Sequence, residues 1–231
     1  MKIPGLIGGL GPESTILYYK EIIARFQNAT GMETFPELLI RSVDMTRVLN
    51  LIESGARGKL VEYLAGAAEQ LAAAGAQFCA ISSNTPHLVF NELREWVSVP
   101  MVSIVETAAR TALEMGLHRI ALIGTKFTMD SDFYRACFAE KGMTVVVPEP
   151  PERQAIHDII FPELENGIVR SEKKAAMLAI CTSLLRRERT DGILLGCTEL
   201  PLMLGDDDFD VAVLDTARLH ITELVKRMIE E

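Results

Sequence analysis

Short apolar runs alternate with longer amphipathic stretches along the whole chain. Lys2–Gly8, Leu38–Val43 and Phe78–Ser82 have the length and composition of buried strands. Between them, Pro12-Glu13-Ser14 opens a helix in which Tyr18, Ile22 and Phe26 recur at helical spacing. The alanine-rich stretch Arg57–Ala74 reads as a second helix, and Gly75 stands where it should stop. Val89–Trp96 and Val102–Met115 read as helices, the latter closed by Gly116. His118–Ile123 is the next strand, followed by a helix over Met129–Glu140 ending near Gly142, and by a strand at Met143–Val147. Pro148–Pro151 reads as a loop, and helices at Ile156–Leu164 and Glu172–Arg187 lead into strand Gly192–Leu195. A last strand at Val211–Leu214 and a helix at Thr216–Ile229 finish the pattern. Strands that alternate with helices imply parallel sheets covered on both faces, an α/β protein.

The pattern contains an internal echo. Leu6-Ile7-Gly8-Gly9 is matched by Leu122-Ile123-Gly124-Thr125, and Ala80-Ile81-Ser82-Ser83-Asn84-Thr85 by Leu194-Leu195-Gly196-Cys197-Thr198-Glu199. The two offsets nearly agree, 116 residues from Leu6 to Leu122 and 114 from Ser83 to Cys197. The chain is therefore expected to form two pseudo-symmetric, Rossmann-like domains. Residues 1–102 make the first, with the final strand and helix from about residue 208 to 231 returning to it; residues of about 103–207 make the second. In such sheets ligands bind beyond the carboxyl ends of the strands. All four marked turns lie at such ends, so packing of the halves face to face would put them in one cleft.

Composition narrows the function classes. Hydrophobic residues at 48% and charged residues at 24% fit an ordinary globular chain, and no apolar run approaches a membrane span. The N-terminus lacks the pattern of a signal peptide, and four irregularly spaced cysteines fit a reduced, cytoplasmic protein. A net charge of −9 argues against nucleic acid as partner. No His/Cys/Asp cluster has metal-ligand spacing, so no metal is expected.

Chemistry concentrates at the strand ends. Cys197 stands at a strand-to-helix step, where helix amides would lower its pKa and favour a thiolate acting as base or nucleophile. Ser83 needs an adjacent base to act. His87 is four residues on, and Ser83, His87 and Asp215 permit a hydrolytic triad, although Ser83 lacks the Gly-x-Ser-x-Gly elbow. The Gly8–Gly11 turn, with Gly9 and Leu10, suits a carboxylate or phosphate, and Gly124-Thr125-Lys126 offers the same with a cation. Arg41 and Arg47 are candidates for a second carboxylate, against a plain solvated role for each.

Gly8-Gly9-Leu10-Gly11-Pro12-Glu13-Ser14-Thr15, Ser83-Asn84-Thr85-Pro86-His87, Gly124-Thr125-Lys126-Phe127-Thr128-Met129 and Gly196-Cys197-Thr198-Glu199, in this order, resemble the aspartate/glutamate racemase family. Ile159–Leu164 and Asp215-Thr216 extend the likeness over essentially the whole chain. Glu199 is similar to the aspartate-racemase branch, since glutamate racemases carry His after the Cys-Thr pair. The resemblance implies a small amino-acid substrate, no pyridoxal or other cofactor, and a homodimer. It implies proton removal by one thiolate and proton return by a thiol on the opposite face of Cα. It carries Asn84, Thr85, Thr198, Glu199, Leu10 and Thr125 as substrate binders beside the catalytic pair Cys197 and Ser83. The departure is Ser83, where many members have Cys. A hydroxyl can donate a proton yet is a poor base, so a direction-biased racemase is expected. The alternatives are a single-Cys decarboxylase of the same superfamily and a small-acid binding protein that has lost one catalytic group.

Overall fold

The structure, a computed structural model, describes residues 1–31 and 33–230. It contains two four-stranded, all-parallel sheets with helices. The first is ordered β2-β1-β3-β4, from β1 (Pro4–Gly8), β2 (Leu39–Ser42), β3 (Phe78–Ile81) and β4 (Met101–Val102). The second, β6-β5-β7-β8, repeats that order with β5 (Arg119–Gly124), β6 (Thr144–Val146), β7 (Gly192–Gly196) and β8 (Ala212–Asp215). The chain divides into one unit of Met1–Ile104 with His220–Glu231 and another of Val105–Leu219. Among the described residues no helix is long and apolar enough to cross a membrane.

In the first unit, β1 and β3 are buried along their full lengths because they are central strands covered on both faces. The helix α1 (Pro12–Thr30) starts on a proline, whose fixed φ suits a first turn, and buries Tyr18, Ile22 and Phe26. A nine-residue helix α2 (Met45–Glu53) follows β2, its Asp44 side chain accepting from the Arg47 N–H at 3.2 Å; α3 (Arg57–Ala73) supplies Leu60, Leu64, Ala68 and Leu71 to the core. α4 (Phe90–Arg94) is short. Ile7 pairs with Ile81 and Gly8 with Ser42, so the Gly8–Gly11 and Ser82–Thr85 turns leave the same sheet edge. Gly9 has φ +77°, and a Cβ there would lie 2.4 Å from Ser42 Oγ and 2.6 Å from the Val43 carbonyl. Only glycine fits that turn.

In the second unit, α5 (Ile104–Glu114) precedes β5, and the helix expected over Met129–Glu140 is two, α6 (Lys126–Asp130) and α7 (Phe133–Ala139), separated at Ser131-Asp132. The Pro148–Pro151 step is not all loop: α8 (Pro150–Ile160) begins on its two prolines, capped by Glu149 and Glu152. α9 (Ser171–Glu188) then leads to β7. Gly124 and Gly196 pair across β5 and β7, and a Cβ on Gly124 would lie 2.9 Å from the Gly196 carbonyl oxygen. This close approach makes Thr125 and Cys197 the first residues beyond two adjacent strand ends.

The final strand departs from the sequence expectation. β8 does not return to the first sheet but pairs with β7, Gly192 to Leu195 against Ala212 to Asp215. It is the counterpart of β4, and without it β7, buried along all five residues, would be an open edge. Of the closing helix α10 (Thr216–Ile229), the part from His220 onward belongs to the first unit, where the Lys2 N–H donates to Met228 O at 2.9 Å.

Candidate active site

In the first unit the residue types expected to bind or react lie on two neighbouring turns. Ser83 is half-buried, Asn84 buried, Thr85 half-buried and Leu10 buried. The Gly9 N–H is already committed: it donates to Thr15 Oγ1 at 2.9 Å, and that hydroxyl donates to the Gly11 carbonyl at 3.1 Å. The glycine turn is thus braced from within by the helix that follows it.

His87 does not activate Ser83. Its ring is buried, stacked on Phe90 with centroids 4.8 Å apart, and Nδ1 lies 3.0 Å from the Ser83 carbonyl oxygen rather than on the hydroxyl. Nε2 accepts from the Ile104 N–H at 3.3 Å. Both nitrogens serve the backbone, and Asp215 sits in the other unit, capping α10 through the Arg218 N–H at 3.0 Å. The triad reading therefore falls. Beside His87, His220 accepts from Tyr18 Oη at Nδ1 (2.8 Å) and donates from Nε2 to Val102 O (3.2 Å). Burial holds both rings neutral, His87 down to about 3 and His220 to about 4, with His220 adding to the depression of His87.

That pair makes folding acid-sensitive. An unfolded histidine titrates near about 6.5, so the contribution of the pair is complete above that pH. Below it the unfolded chain takes up protons that the folded chain refuses, and stability falls until pH 3 to 4. The melting temperature is expected to drop between pH 7 and pH 4.5, and His220→Gln to flatten that drop even where it lowers stability at neutral pH. Calorimetry across the range measures it; an unchanged slope in the variant would remove His220 from the account.

Arg41 and Arg47 are placed elsewhere in the first unit. Arg47 lies over the Tyr63 ring, 4.1 Å from its centroid, and Arg41 Nε donates to Gln70 Oε1 at 2.8 Å. With Lys59 they line a groove of about 480 Å³ to which the Ser83 turn does not contribute.

The second unit holds the other half of the candidates. Thr125 caps α6, its hydroxyl accepting from the Thr128 N–H at 3.3 Å, and Lys126 is exposed. Cys197, Thr198 and Glu199 are all buried, at 7%, 7% and 5% exposure. Cys197 Sγ donates to Glu199 Oε2 at 3.0 Å and Thr198 Oγ1 to the same oxygen at 2.8 Å. The thiolate expectation is corrected here. The helical segment after Cys197 is a 3-10 turn of three residues (Leu200–Leu202), too short for a substantial dipole. Burial, and then the Glu199 carboxylate, push the thiol well above its ordinary range, so the resting group is a protonated thiol. Cys79 and Cys181 are core residues, each pushed up to about 12 by burial.

Two contributors escape the sequence. Glu165 is half-buried, and burial followed by the Glu199 charge raises its carboxyl to about 7. Ser14, 1% exposed, donates its hydroxyl to the Ser82 carbonyl 68 residues away. Glu165 stands in no motif with a chemical signature, and Ser14, although within the Gly8–Thr15 motif, shows its contact with Ser82 only once the turn is folded.

The chain is similar in sequence and in fold to known proteins. The chain is 30% identical over 151 residues to a glutamate racemase from Corynebacterium kroppenstedtii, a match covering 64% of this chain and 51% of that one, so it spans about half of that relative. It is 22% identical over 228 residues to the broad specificity amino-acid racemase RacX of Bacillus subtilis, covering 92% of each. The crystal structure of an aspartate racemase homologue from Pyrococcus horikoshii superposes with a TM-score of 0.84 at 38% identity, covering 100% of both chains. The model of the Asp/Glu/Hydantoin racemase family matches residues 7–224, and the chain belongs to that family.

Proposed function

We propose that the protein is a cofactor-independent, cytoplasmic, homodimeric amino-acid racemase acting on aspartate, glutamate or both. Cys197 is its principal acid/base and Ser83 the weaker group for the opposite face of Cα. The observation that carries this reading is the Cys197–Glu199 hydrogen bond, a thiol handing its proton toward a buried carboxylate. When that proton passes to Glu199, the thiolate can take the α-proton, and Glu199 becomes a neutral carboxylic acid. The resulting carbanion is basic enough to take a proton from a hydroxyl. Ser83 supplies it on the other face and is reprotonated from water. In reverse Ser83 would have to be an alkoxide first, which a hydroxyl near neutral pH is not. Main-chain donors of Asn84, Thr85, Thr125 and Thr198, with the Asn84 side chain, stabilise the developing charge, and the Leu10 N–H, beyond the braced Gly9, and Lys126 serve the carboxylates.

Enantiomers have equal free energy in water, so kcat/KM must be the same in both directions whatever the two groups are. The asymmetry shows as unequal kcat offset by KM. It also shows as deuterium uptake that outpaces inversion for the enantiomer presenting its α-proton to Cys197. Chiral chromatography of L- and D-amino acids incubated with the protein, alongside α-proton exchange in deuterated water, tests both parts. Racemisation with equal kcat in both directions and exchange no faster than inversion would remove the bias. Neither racemisation nor exchange with any amino acid would remove the racemase.

The protonated thiol also favours a second reading, a decarboxylase in which Cys197 donates its proton to an enolate after carbon dioxide leaves. Carbon dioxide release from a disubstituted malonate selects it.

A further inference from the structure

We propose that Ser14 and His87 are positioning residues that lock the two peptide planes flanking Ser83 and thereby aim its hydroxyl. The inference rests on the reading of Ser83 as the second proton-transfer group. The direction of a Cα–Cβ bond is set by the backbone angles on either side of it, and those angles are set by the adjoining peptide planes. The carbonyl of the preceding plane, Ser82 O, accepts from Ser14 Oγ. The carbonyl of the following plane, Ser83 O, lies 3.0 Å from His87 Nδ1. Two consecutive carbonyls on an irregular turn are therefore each captured by a buried side chain rather than by the sheet.

The histidine is suited to the task because its tautomer is dictated. The Ile104 N–H donates to Nε2, so Nε2 carries no proton, and the single proton of the neutral ring must be on Nδ1, facing the Ser83 carbonyl. Stacking on Phe90 fixes the ring plane, and the edge-on ring of His220, 6.5 Å away between centroids, backs it. His220 is held in turn between Tyr18 and Val102. Ser14 is supplied by the first turn of α1, so the loop that carries Ser83 is tied to the glycine turn beside it. A half-exposed serine on an otherwise free loop would sample several orientations. A reacting group displaced by about 1 Å can lose about 10²-fold in rate.

The test has two arms. Histidine-selective 15N NMR on the wild-type protein reads the tautomer without reference to activity. The expected result is His87 protonated at Nδ1 only; protonation at Nε2, or a mixture, overturns the proposal. The kinetic arm compares Ser14→Ala, His87→Gln and His87→Asn in racemisation. Asparagine places its amide N–H where Nδ1 was, whereas glutamine replaces only the acceptor at Nε2. Ser14→Ala and His87→Gln are expected to lower kcat by about 10²-fold with KM changed by less than about threefold, and His87→Asn to recover about tenfold over His87→Gln. Equal kcat in the two His87 variants, or a loss confined to KM, overturns the proposal. If His87→Gln does not fold, Ser14→Ala and the tautomer still decide. A wild-type protein that racemises and exchanges nothing removes the racemase reading instead, and the clamp is then judged by the tautomer alone.

Discussion

Cys197→Ala is expected to lower amino-acid turnover by about 10³-fold or more and to abolish α-proton exchange for both enantiomers. On the proposed reading Cys197 takes part in every turnover, as base in one direction and as acid in the other. Glu199 stands behind the thiol as its hydrogen-bond acceptor and Thr198 carries only a hydroxyl, so neither takes its place. The loss would not come from unfolding. Cys197 belongs to a core that includes Met129, Leu195, Leu200 and Met203, and removing one sulfur from such a setting costs about 1 kcal/mol. Thr198 still donates to Glu199 Oε2 in the variant, so the carboxylate is not stranded. Unchanged melting temperature with lost exchange is the expected pair of results. Activity above about a tenth of wild type, where a true acid/base loss leaves far less, takes Cys197 out of the chemistry.

Ser83→Cys is expected to act in the opposite sense. A thiol near its ordinary pKa of about 8.5 reaches the basic form easily, whereas a hydroxyl does not. The variant should raise kcat by about 10²-fold in whichever direction requires position 83 as base. Because kcat/KM must remain equal for the two enantiomers, any gain in kcat/KM appears in both directions, and inversion catches up with exchange. The position is half-buried, and cysteine differs from serine only in the exchange of oxygen for sulfur. Full progress curves from pure L- and pure D-substrate measure the change. If inversion stays as slow relative to exchange as in wild type, Ser83 is not the second group.

Features with local causes are legible in the sequence, and those with distant causes are not. β1, β3, β5 and β7 are legible because central parallel strands are apolar throughout, and the helices around them because of their spacing and glycine stops. α2 is not: nine residues with one buried side chain, Val48, leave little periodicity to read. The proline pair at 150–151 suggests a loop because the same residue breaks a helix interior and begins a helix. The placement of Ser83 and Cys197 at matching strand ends comes from the repeat. The protonation of Cys197 does not, because it depends on where the Glu199 side chain points and on water being excluded. The roles of Ser14 and His87 are equally hidden, since one contact spans 68 residues and the other goes to main chain.

The buried, uncharged state of Cys197 also bears on survival among oxidants. Peroxides and alkylating electrophiles attack thiolates, not thiols, and need access to the sulfur. At 7% exposure, with a carboxylate keeping the proton in place, the sulfur is shielded from sulfenic acid formation while the site is idle. Damage would then be confined to the moments when a ligand has changed the charge around it, and a resting population of the protein would persist through oxidative episodes that consume exposed, acidic cysteines first.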